Sequence, residues 1–196
     1  MTGGWKIGFI GAGKMGGAVA RRLATRGHQV RVYDPSREAT RACTVAGAGA
    51  CDSAAEAASE ADAVFTSLPL PEHVVDTYRS LVSVLEPGIV CVDVSTIDPI
   101  VARGISDLLA EREIPFVACP LGKTPEHAER GEIPVFVGGP RETVAFVHPL
   151  LEEFAESVHD LGTVEAATTF KLISNLVGMT NVAVLAEGYV LARRAG

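Results

Sequence analysis

The chain shows its architecture most clearly in the segment Lys6-Ile-Gly-Phe-Ile-Gly11-Ala-Gly13-Lys14-Met15-Gly16. It opens with a short apolar run, Lys6 to Ile10, that is typical of a buried parallel strand. A glycine-rich turn follows directly, and Met15 to Arg26 then has the apolar spacing of an amphipathic helix that ends at Gly27. The segment therefore predicts a strand, a tight turn and a helix in immediate succession.

Each glycine of this turn is needed for a different physical reason. Gly11 permits the tight bend, Gly13 lets the main chain approach a pyrophosphate, and Gly16 lets the helix pack closely on the strand. The amides of Lys14 and Met15 would face the phosphates together with the positive end of the helix dipole. Since the glycines lie between a strand and a helix, they predict a dinucleotide site. The spacing does not fit a P-loop.

The second predicted strand, Val30–Tyr33, ends at Asp34. A carboxylate at this position can accept hydrogen bonds from both ribose hydroxyls of adenosine, and its charge would repel a 2′-phosphate. This favours NAD over NADP as the cofactor. Arg37 is the counter-argument because it could reach a 2′-phosphate, and its alternative interpretation is an arginine on a helix surface.

Strand-like and helix-like segments continue to alternate along the chain. The predicted strands after the first two are Ala63–Leu68, Ile89–Val94, Phe116–Ala118 and Val135–Val137. The predicted helices after the first are Ser36–Ala46, one that opens at the capping box Ser53–Glu56, one from Pro71 to before Pro87, and Pro99–Arg112, with a polar loop over Cys119–Glu132. This alternation predicts an α/β protein of the doubly wound Rossmann type, with a mainly parallel sheet.

The last part of the chain differs from the rest. Ala166 to Arg194 could form one long helix that is apolar on most faces, and such a helix needs a cover. The sequence therefore predicts a nicotinamide-binding domain over residues 1–163. The helix over 164–196 is expected to open a second, helical domain that is missing from this chain.

Charge argues against a nucleic-acid partner, because acidic residues outnumber basic ones by 24 to 17 and the formal net charge is −7. The basic residues Arg21, Arg22 and Arg26 are interpreted as the solvated outer face of the first helix. Phosphate binding is therefore argued from backbone geometry and not from these side chains.

The sequence also argues against membrane, secreted and metal-binding classes. No signal peptide is expected, and polar residues interrupt the apolar C-terminal stretch, namely Asn175, Asn181 and Glu187. The four cysteines show no CxxC pair and no metal-ligand spacing. We therefore expect a cytoplasmic protein with free thiols, no metal and no membrane contact.

In a doubly wound sheet the ligand lies beyond the carboxyl ends of the strands, so the residues just after each strand are site candidates. Leu68 with Pro69, and Ser95 with Thr96, hold such positions, although the two hydroxyl residues could equally cap the next helix. A later loop holds Gly122-Lys123-Thr124, which offers an amide, a cation and a hydroxyl suited to a carboxylate. An ordinary surface lysine is the alternative there.

Lys171 has apolar neighbours near the start of the predicted final helix, and Asn175 falls on the same face one turn later. Apolar surroundings lower the pKa of a lysine toward the range useful for proton transfer. The alternative is a lysine whose charged end simply reaches water.

Ordered motifs along the chain carry a family resemblance: the segment Lys6 to Gly16, Gly27-His28, Thr66-Ser-Leu-Pro69, Pro87-Gly88, Asp93-Val-Ser-Thr96 with Pro99, Gly131, Gly138-Gly139, Gly162 and Lys171-Leu-Ile-Ser-Asn175. On these motifs the whole chain resembles the β-hydroxyacid dehydrogenases, the family of 3-hydroxyisobutyrate dehydrogenase and tartronate semialdehyde reductase.

The resemblance implies a role for each candidate residue. Lys171 would be the general acid and base, and Asn175 would hold the substrate beside it. Ser95 and the segment Gly122-Lys123-Thr124 would hold the anionic group of the substrate. The nicotinamide side would be lined by Leu68, Pro69 and Thr96. Family members also continue into a helical domain that builds a dimer, so a homodimer or larger homo-oligomer is expected.

Two local departures bear on the substrate. Where the family usually has Asp-Ala-Pro-Val-Ser-Gly-Gly, this chain has Ala118-Cys-Pro-Leu-Gly-Lys-Thr124, which looks like the branch acting on sulfolactaldehyde or succinic semialdehyde. Ser174 stands where the family often has an asparagine. These residues put 3-hydroxyisobutyrate itself in doubt.

The residues and the resemblance together predict an oxidoreductase that moves hydride between NAD and a small anionic β-hydroxy acid or semialdehyde. Two alternatives stay open at this point. The first is a cofactor-binding fragment without turnover. The second is an imine reductase, which shares the glycine turn but typically lacks a lysine at the position of Lys171.

Overall fold

The computed structural model describes residues 4–196 and shows a parallel sheet between two layers of helices. In chain order the elements are β1 Lys6–Ile10, α1 Lys14–Thr25, β2 Gln29–Tyr33, α2 Arg37–Val45, β3 Gly49–Ala50, α3 Ala54–Ala58, β4 Ala63–Thr66, α4 Pro71–Leu81, β5 Val90–Asp93, α5 Pro99–Ala110, β6 Phe116–Ala118, α6 Pro125–Arg130, β7 Ile133–Val137, α7 Arg141–Leu151, β8 Ala155–Asp160 and α8 Val164–Ala195.

The main sheet has the strand order β3-β2-β1-β4-β5-β6, and each neighbouring pair is parallel. The order reverses between β1 and β4, which places a crevice at the carboxyl ends of these strands. β7 and β8 form a second parallel pair, linked to the region of β6 by antiparallel bridges between Ala118 and Gly138 and between Leu121 and Val135. The predicted doubly wound, mainly parallel fold is confirmed.

Each face of the sheet carries its own buried core. On one face Phe9 stacks on Phe65 with 5.5 Å between ring centroids, beneath α1, α2 and α7. On the other face Tyr78 meets Phe116 edge-on, beneath α3, α4 and α5. Since successive side chains of a strand point to opposite faces, the central strands must be apolar on both.

The expected polar loop over Cys119–Glu132 is wrong in its middle part, where the chain forms α6. Pro125 stands at the first helical position, and Gly131 ends the helix with a left-handed φ of 75°. Both are ordinary helix boundary signals, but the helix between them is too short for a clear apolar period. The segment after Gly139, for which no helix or strand was predicted before the final helix, forms α7 and β8.

The arginines of α1 do more than solvate its outer face. Arg21 pairs with Glu129 of α6, and Arg26 pairs with Glu153. Arg22 donates from Nε to the carbonyl of Glu153 at 2.9 Å. These contacts therefore hold α6 and the turn that precedes β8 against the outer face of α1.

Helix α8 leaves the body of the molecule soon after it begins. Its buried residues are Val164, Ala167 and Thr168. By length and composition alone this helix could cross a membrane, since an 18-residue window in it has a mean hydropathy of 1.3. Core helices of soluble proteins can reach the same hydropathy, so this is weak evidence for a membrane span. That it does not cross a membrane stays a prediction from the sequence.

Candidate functional site

The glycine turn between β1 and α1 is held by contacts that exclude side chains. Gly11 has a φ of +94°, and a Cβ built on it would lie 2.2 Å from the carbonyl oxygen of Ser67. A Cβ on Gly16 would lie 2.2 Å from the carbonyl oxygen of Gly11. Both positions therefore need glycine for the close approach of β1, α1 and the end of β4.

Gly13 differs from the other two glycines because it faces open space. Among residues 4–196 nothing lies within 4 Å of a Cβ built there. Gly13 is also the N-cap of α1, which within the described chain has no side-chain cap and no acidic residue in its first turn. An uncapped helix start with open space in front of it fits a pyrophosphate.

Asp34 joins the glycine turn to the end of β2. Its Oδ2 accepts the amide of Ala12 at 2.8 Å, and its Oδ1 accepts the amide of Ser36 at 2.8 Å. Each oxygen keeps a further lone pair for a ribose hydroxyl. Arg37 does not line the cavity that contains the glycine turn, but with Arg41 it lines an adjoining cavity of about 490 Å³ that Asp34 also lines.

A cavity of about 880 Å³ at the carboxyl ends of the strands brings most of the candidate residues together. Its lining includes Gly11, Gly13, Lys14, Met15, Gly16, Asp34, Leu68, Pro69, Ser95, Thr96, Lys123, Lys171 and Asn175. Gly122 and Thr124 are not part of this wall. Residues of α4 that the sequence interpretation missed also line it, namely His73, Asp76 and Thr77. Their helical spacing after Pro71 was the available signal.

The expected anion cradle at Gly122-Lys123-Thr124 is not assembled in this structure. The amide of Gly122 donates to the carbonyl of Pro134 at 2.9 Å, so it is not free. Lys123 Nζ donates to Glu156 at 2.7 Å and to the carbonyl of Glu132 at 2.8 Å. The three groups offered by spacing are therefore turned to separate partners; Thr124 bonds to Glu126 and His127.

Lys171 enters the cavity from the first turns of α8. Its side chain is half-buried, and this burial lowers the pKa of its ammonium group, which is the direction expected from its apolar neighbours. Asn175 lies one turn further along and also lines the cavity. A lysine and an amide thus reach the crevice from an element outside the sheet.

Ser95 is buried, and its hydroxyl is fully engaged. It donates to Asp93 Oδ1 at 2.6 Å and accepts the amide of Leu68 at 3.0 Å. Asp93 was missed as a site residue, although it stands in one of the family-like motifs. Its carboxyl is 1% exposed, and burial raises its pKa to about 6. Ser95 thus has no hydrogen left to donate to a substrate anion while Asp93 is ionised.

Within residues 4–196, no group of three or more His, Cys, Asp or Glu side chains is placed so that it could share a metal ion. The cysteines of this range are free thiols. The arrangement is suited to holding a dinucleotide against a lysine, with amides and carboxylates as the binding groups.

Comparison with known proteins gives the same picture. Residues 6–163 match the family described as the NAD binding domain of 6-phosphogluconate dehydrogenase. Over 194 residues the chain is 31% identical to 2-(hydroxymethyl)glutarate dehydrogenase of Eubacterium barkeri, which covers 97% of this chain and 64% of that protein. Over 193 residues it is 30% identical to 3-hydroxyisobutyrate dehydrogenase of Pseudomonas aeruginosa, with 97% and 65% covered. The chain thus spans less than two thirds of these curated relatives.

Solved structures add three comparisons. Mycobacterium tuberculosis 3-hydroxyisobutyrate dehydrogenase with L-serine superposes with a TM-score of 0.91 at 30% identity, over 97% of this chain and 65% of that one. The structure of Psf3 in complex with NADP+ and 2-OPP superposes with a TM-score of 0.87 at 30% sequence identity, over 93% of this chain and 67% of that one. An imine reductase from a Pseudomonas species superposes with a TM-score of 0.90 at 23% sequence identity, over 97% of this chain and 68% of that one. At this identity the likeness shows a shared fold alone.

Proposed function

The chain belongs to the β-hydroxyacid dehydrogenase family, and on that premise we propose that it serves an NAD-dependent oxidoreductase that interconverts a small β-hydroxy acid and its semialdehyde. The observation that carries this proposal is a single cavity shared by the glycine turn, Asp34 and Lys171. A cofactor site and a proton-transfer group then face the same space.

The chain's own residues divide the work between binding and proton transfer. The amides at the start of α1 hold the pyrophosphate and Asp34 holds the adenosine ribose. Bound nicotinamide supplies or takes up the hydride. In reduction, protonated Lys171 gives its proton to the carbonyl oxygen that becomes the hydroxyl, and in oxidation the neutral amine takes that proton back. The amide of Asn175 holds the substrate oxygen beside it.

NAD is the cofactor we propose, because the negative charge of the Asp34 carboxylate would repel a 2′-phosphate. The opposing feature is the pair Arg37 and Arg41 in the adjoining cavity. The relative that was solved with NADP+ shows that this framework also accepts the phosphorylated cofactor. Asp34 therefore has to outweigh the two arginines if the proposal is right.

For the substrate we propose a semialdehyde that carries an acid group, of the succinic semialdehyde or sulfolactaldehyde kind. Support comes from Lys123, which lines the cavity and whose ammonium group is bonded to Glu156 and to the carbonyl of Glu132. Its ion pair with Glu156 is exposed, and exposed pairs contribute at most about 1 kcal/mol, so a substrate anion can compete for the ammonium group. We also propose a cytoplasmic homo-oligomer, without nucleic-acid or membrane partners.

The test is NADH oxidation with acid-bearing semialdehydes, their uncharged amides and cyclic imines as substrates. We expect turnover of the acids, and Lys171→Ala should lower kcat by roughly 10²–10⁴-fold while NADH affinity stays unchanged. Lys171→Arg is the matched control for charge, and it should fail too because guanidinium does not deprotonate near neutral pH. An active Lys171→Ala variant would contradict the assignment. Turnover of imines alone would favour an imine reductase. NADH binding without any turnover would favour a cofactor-binding fragment.

A further inference from the structure

A buried carboxylate, Asp93, lies behind the cavity wall without touching the cavity. Its Oδ1 accepts the hydroxyl of Thr66 at 2.7 Å, the hydroxyl of Ser95 at 2.6 Å and the amide of Ser95 at 3.3 Å. Its Oδ2 has no partner within the described residues. All of the hydrogen bonds of this carboxylate therefore converge on one oxygen at the end of β5.

The direction of each hydrogen bond in this network follows from one fixed donor, the amide of Leu68, and one fixed acceptor, the ionised carboxylate of Asp93. The amide of Leu68 can only donate, so Ser95 Oγ accepts from it and must send its own hydrogen to Asp93. Thr66 likewise gives its hydrogen to Asp93 and accepts from Tyr78, whose hydroxyl lies 2.9 Å away. An acceptor at Asp93 thus fixes the orientation of the Ser95 hydroxyl.

Leu68 connects this network to the glycine turn. Leu68 and Ser95 both line the large cavity, whereas Thr66 and Asp93 do not. The residue before Leu68, Ser67, is the one whose carbonyl oxygen and Cβ press against Gly11 and Gly16. Any shift of the segment after β4 would therefore move the surface against which the cofactor turn is packed.

We propose that Asp93 is a positioning residue, which through Ser95 holds the amide of Leu68 and so sets the wall of the cofactor cavity. This inference rests on the proposed function for its link to the cofactor. Ser95 then acts as a bridge between Asp93 and Leu68 and not as a donor to the substrate anion, which revises the role that the family resemblance implied.

A double-mutant cycle on the whole chain tests this inference, with the NADH dissociation constant measured by calorimetry at pH 8. Asp93→Ala and Ser95→Ala should each weaken NADH binding by at least about fivefold, and the double variant should lose little more, since both break the same connection. Asp93→Asn should stay within about threefold of the natural chain, because its amide oxygen can accept the same donors.

Thr66→Val is the matched control, since it removes a buried hydroxyl that donates to the same carboxylate but does not line the cavity. It should lower the melting temperature yet leave NADH binding within about twofold. Amide hydrogen exchange at Leu68 gives a readout without cofactor: exchange should quicken in Asp93→Ala and Ser95→Ala and stay slow in Thr66→Val.

Three results would overturn the inference: losses that multiply in the double variant, a Thr66→Val variant that binds NADH as weakly as Ser95→Ala, or an unchanged Leu68 exchange rate in Asp93→Ala. Failure of the natural chain to bind NADH would instead remove the proposed function, and the role of Asp93 at the cofactor wall would fall with it.

Discussion

We expect Asp34 to discriminate between the two nicotinamide cofactors through its charge. NAD(H) should bind at least about tenfold tighter than NADP(H), and Asp34→Ala should shrink that ratio, because a charge-assisted hydrogen bond of about 1.5–3 kcal/mol is lost for NAD alone. Calorimetry with both cofactors on each variant checks this. The ratio of the two affinities is the useful measure, because loss of the Ala12–Asp34 hydrogen bond would weaken the binding of both cofactors alike. Arg37→Ala is the control, which should leave the affinity for NAD unchanged. Equal affinities in the natural chain would contradict the assignment.

Asp93 makes stability depend on pH in an unusual direction. Burial raises its pKa from 3.8 to about 6, so between these values the folded state binds a proton that the unfolded state has released. Its contribution to the free energy of unfolding should therefore grow as pH falls from about 7 to 4. Relative to Asp93→Asn, the natural chain should gain about 2 kcal/mol over that range, measured by urea unfolding. A pH-independent difference between the two chains would rule out this titration.

Residue types at the site were easier to foresee than their partners. Gly13, Asp34 and Lys171 could be found because each is fixed by its position after a strand or on one helix face. The pairing of Lys123 with Glu156 and of Ser95 with Asp93 could not be foreseen. The first joins residues far apart in sequence, and the second depends on which way a buried hydroxyl turns.

At the scale of elements, the contact between α1 and the ends of β1 and β4 depends on Gly16. A Cβ there meets backbone, so Gly16→Ala should force the turn apart, lower the melting temperature and weaken NADH binding. Gly104→Ala in α5 is the matched control, because a Cβ there meets nothing within 4 Å among residues 4–196. It should stabilise the chain by roughly 0.4–1 kcal/mol. Thermal unfolding and calorimetry of both variants would decide, and a neutral Gly16→Ala would show that the turn has room.

Most elements up to β6 were predicted within a few residues of their observed bounds, whereas β3, α6, α7 and β8 were missed. A helix such as α1 or α5 repeats its apolar spacing often enough to be recognised. Helix α6 has only one buried residue, Ala128, and β3 consists of Gly49 and Ala50 alone. The arginines of α1 show the same limit, since a charged side chain that anchors another element has the same spacing as one that meets water.

For the whole molecule, the two hydrophobic cores on either side of the sheet contain buried side chains only up to the first turns of α8. Most of that helix is therefore not covered by the rest of the chain. Its exposed large apolar residues are Phe170, Leu172, Ile173, Leu176, Val177, Met179, Val182, Val184, Leu185, Tyr189, Val190 and Leu191. Water-exposed apolar surface on this scale marks a site of association.

We therefore expect the 196-residue chain to self-associate through α8. Pairing of the helix with its copy about a two-fold axis would bury these side chains in both chains at once. Sedimentation should give a species larger than the 20.5 kDa monomer, and Leu176→Gln with Leu185→Gln should shift it toward the monomer. These two side chains are 67% and 72% exposed, so the substitutions should leave the melting temperature of the sheet domain nearly unchanged. Val19→Ala, a buried change in α1, is the control that should lower the melting temperature without altering the mass. A monodisperse 20.5 kDa species at all concentrations would contradict association through α8.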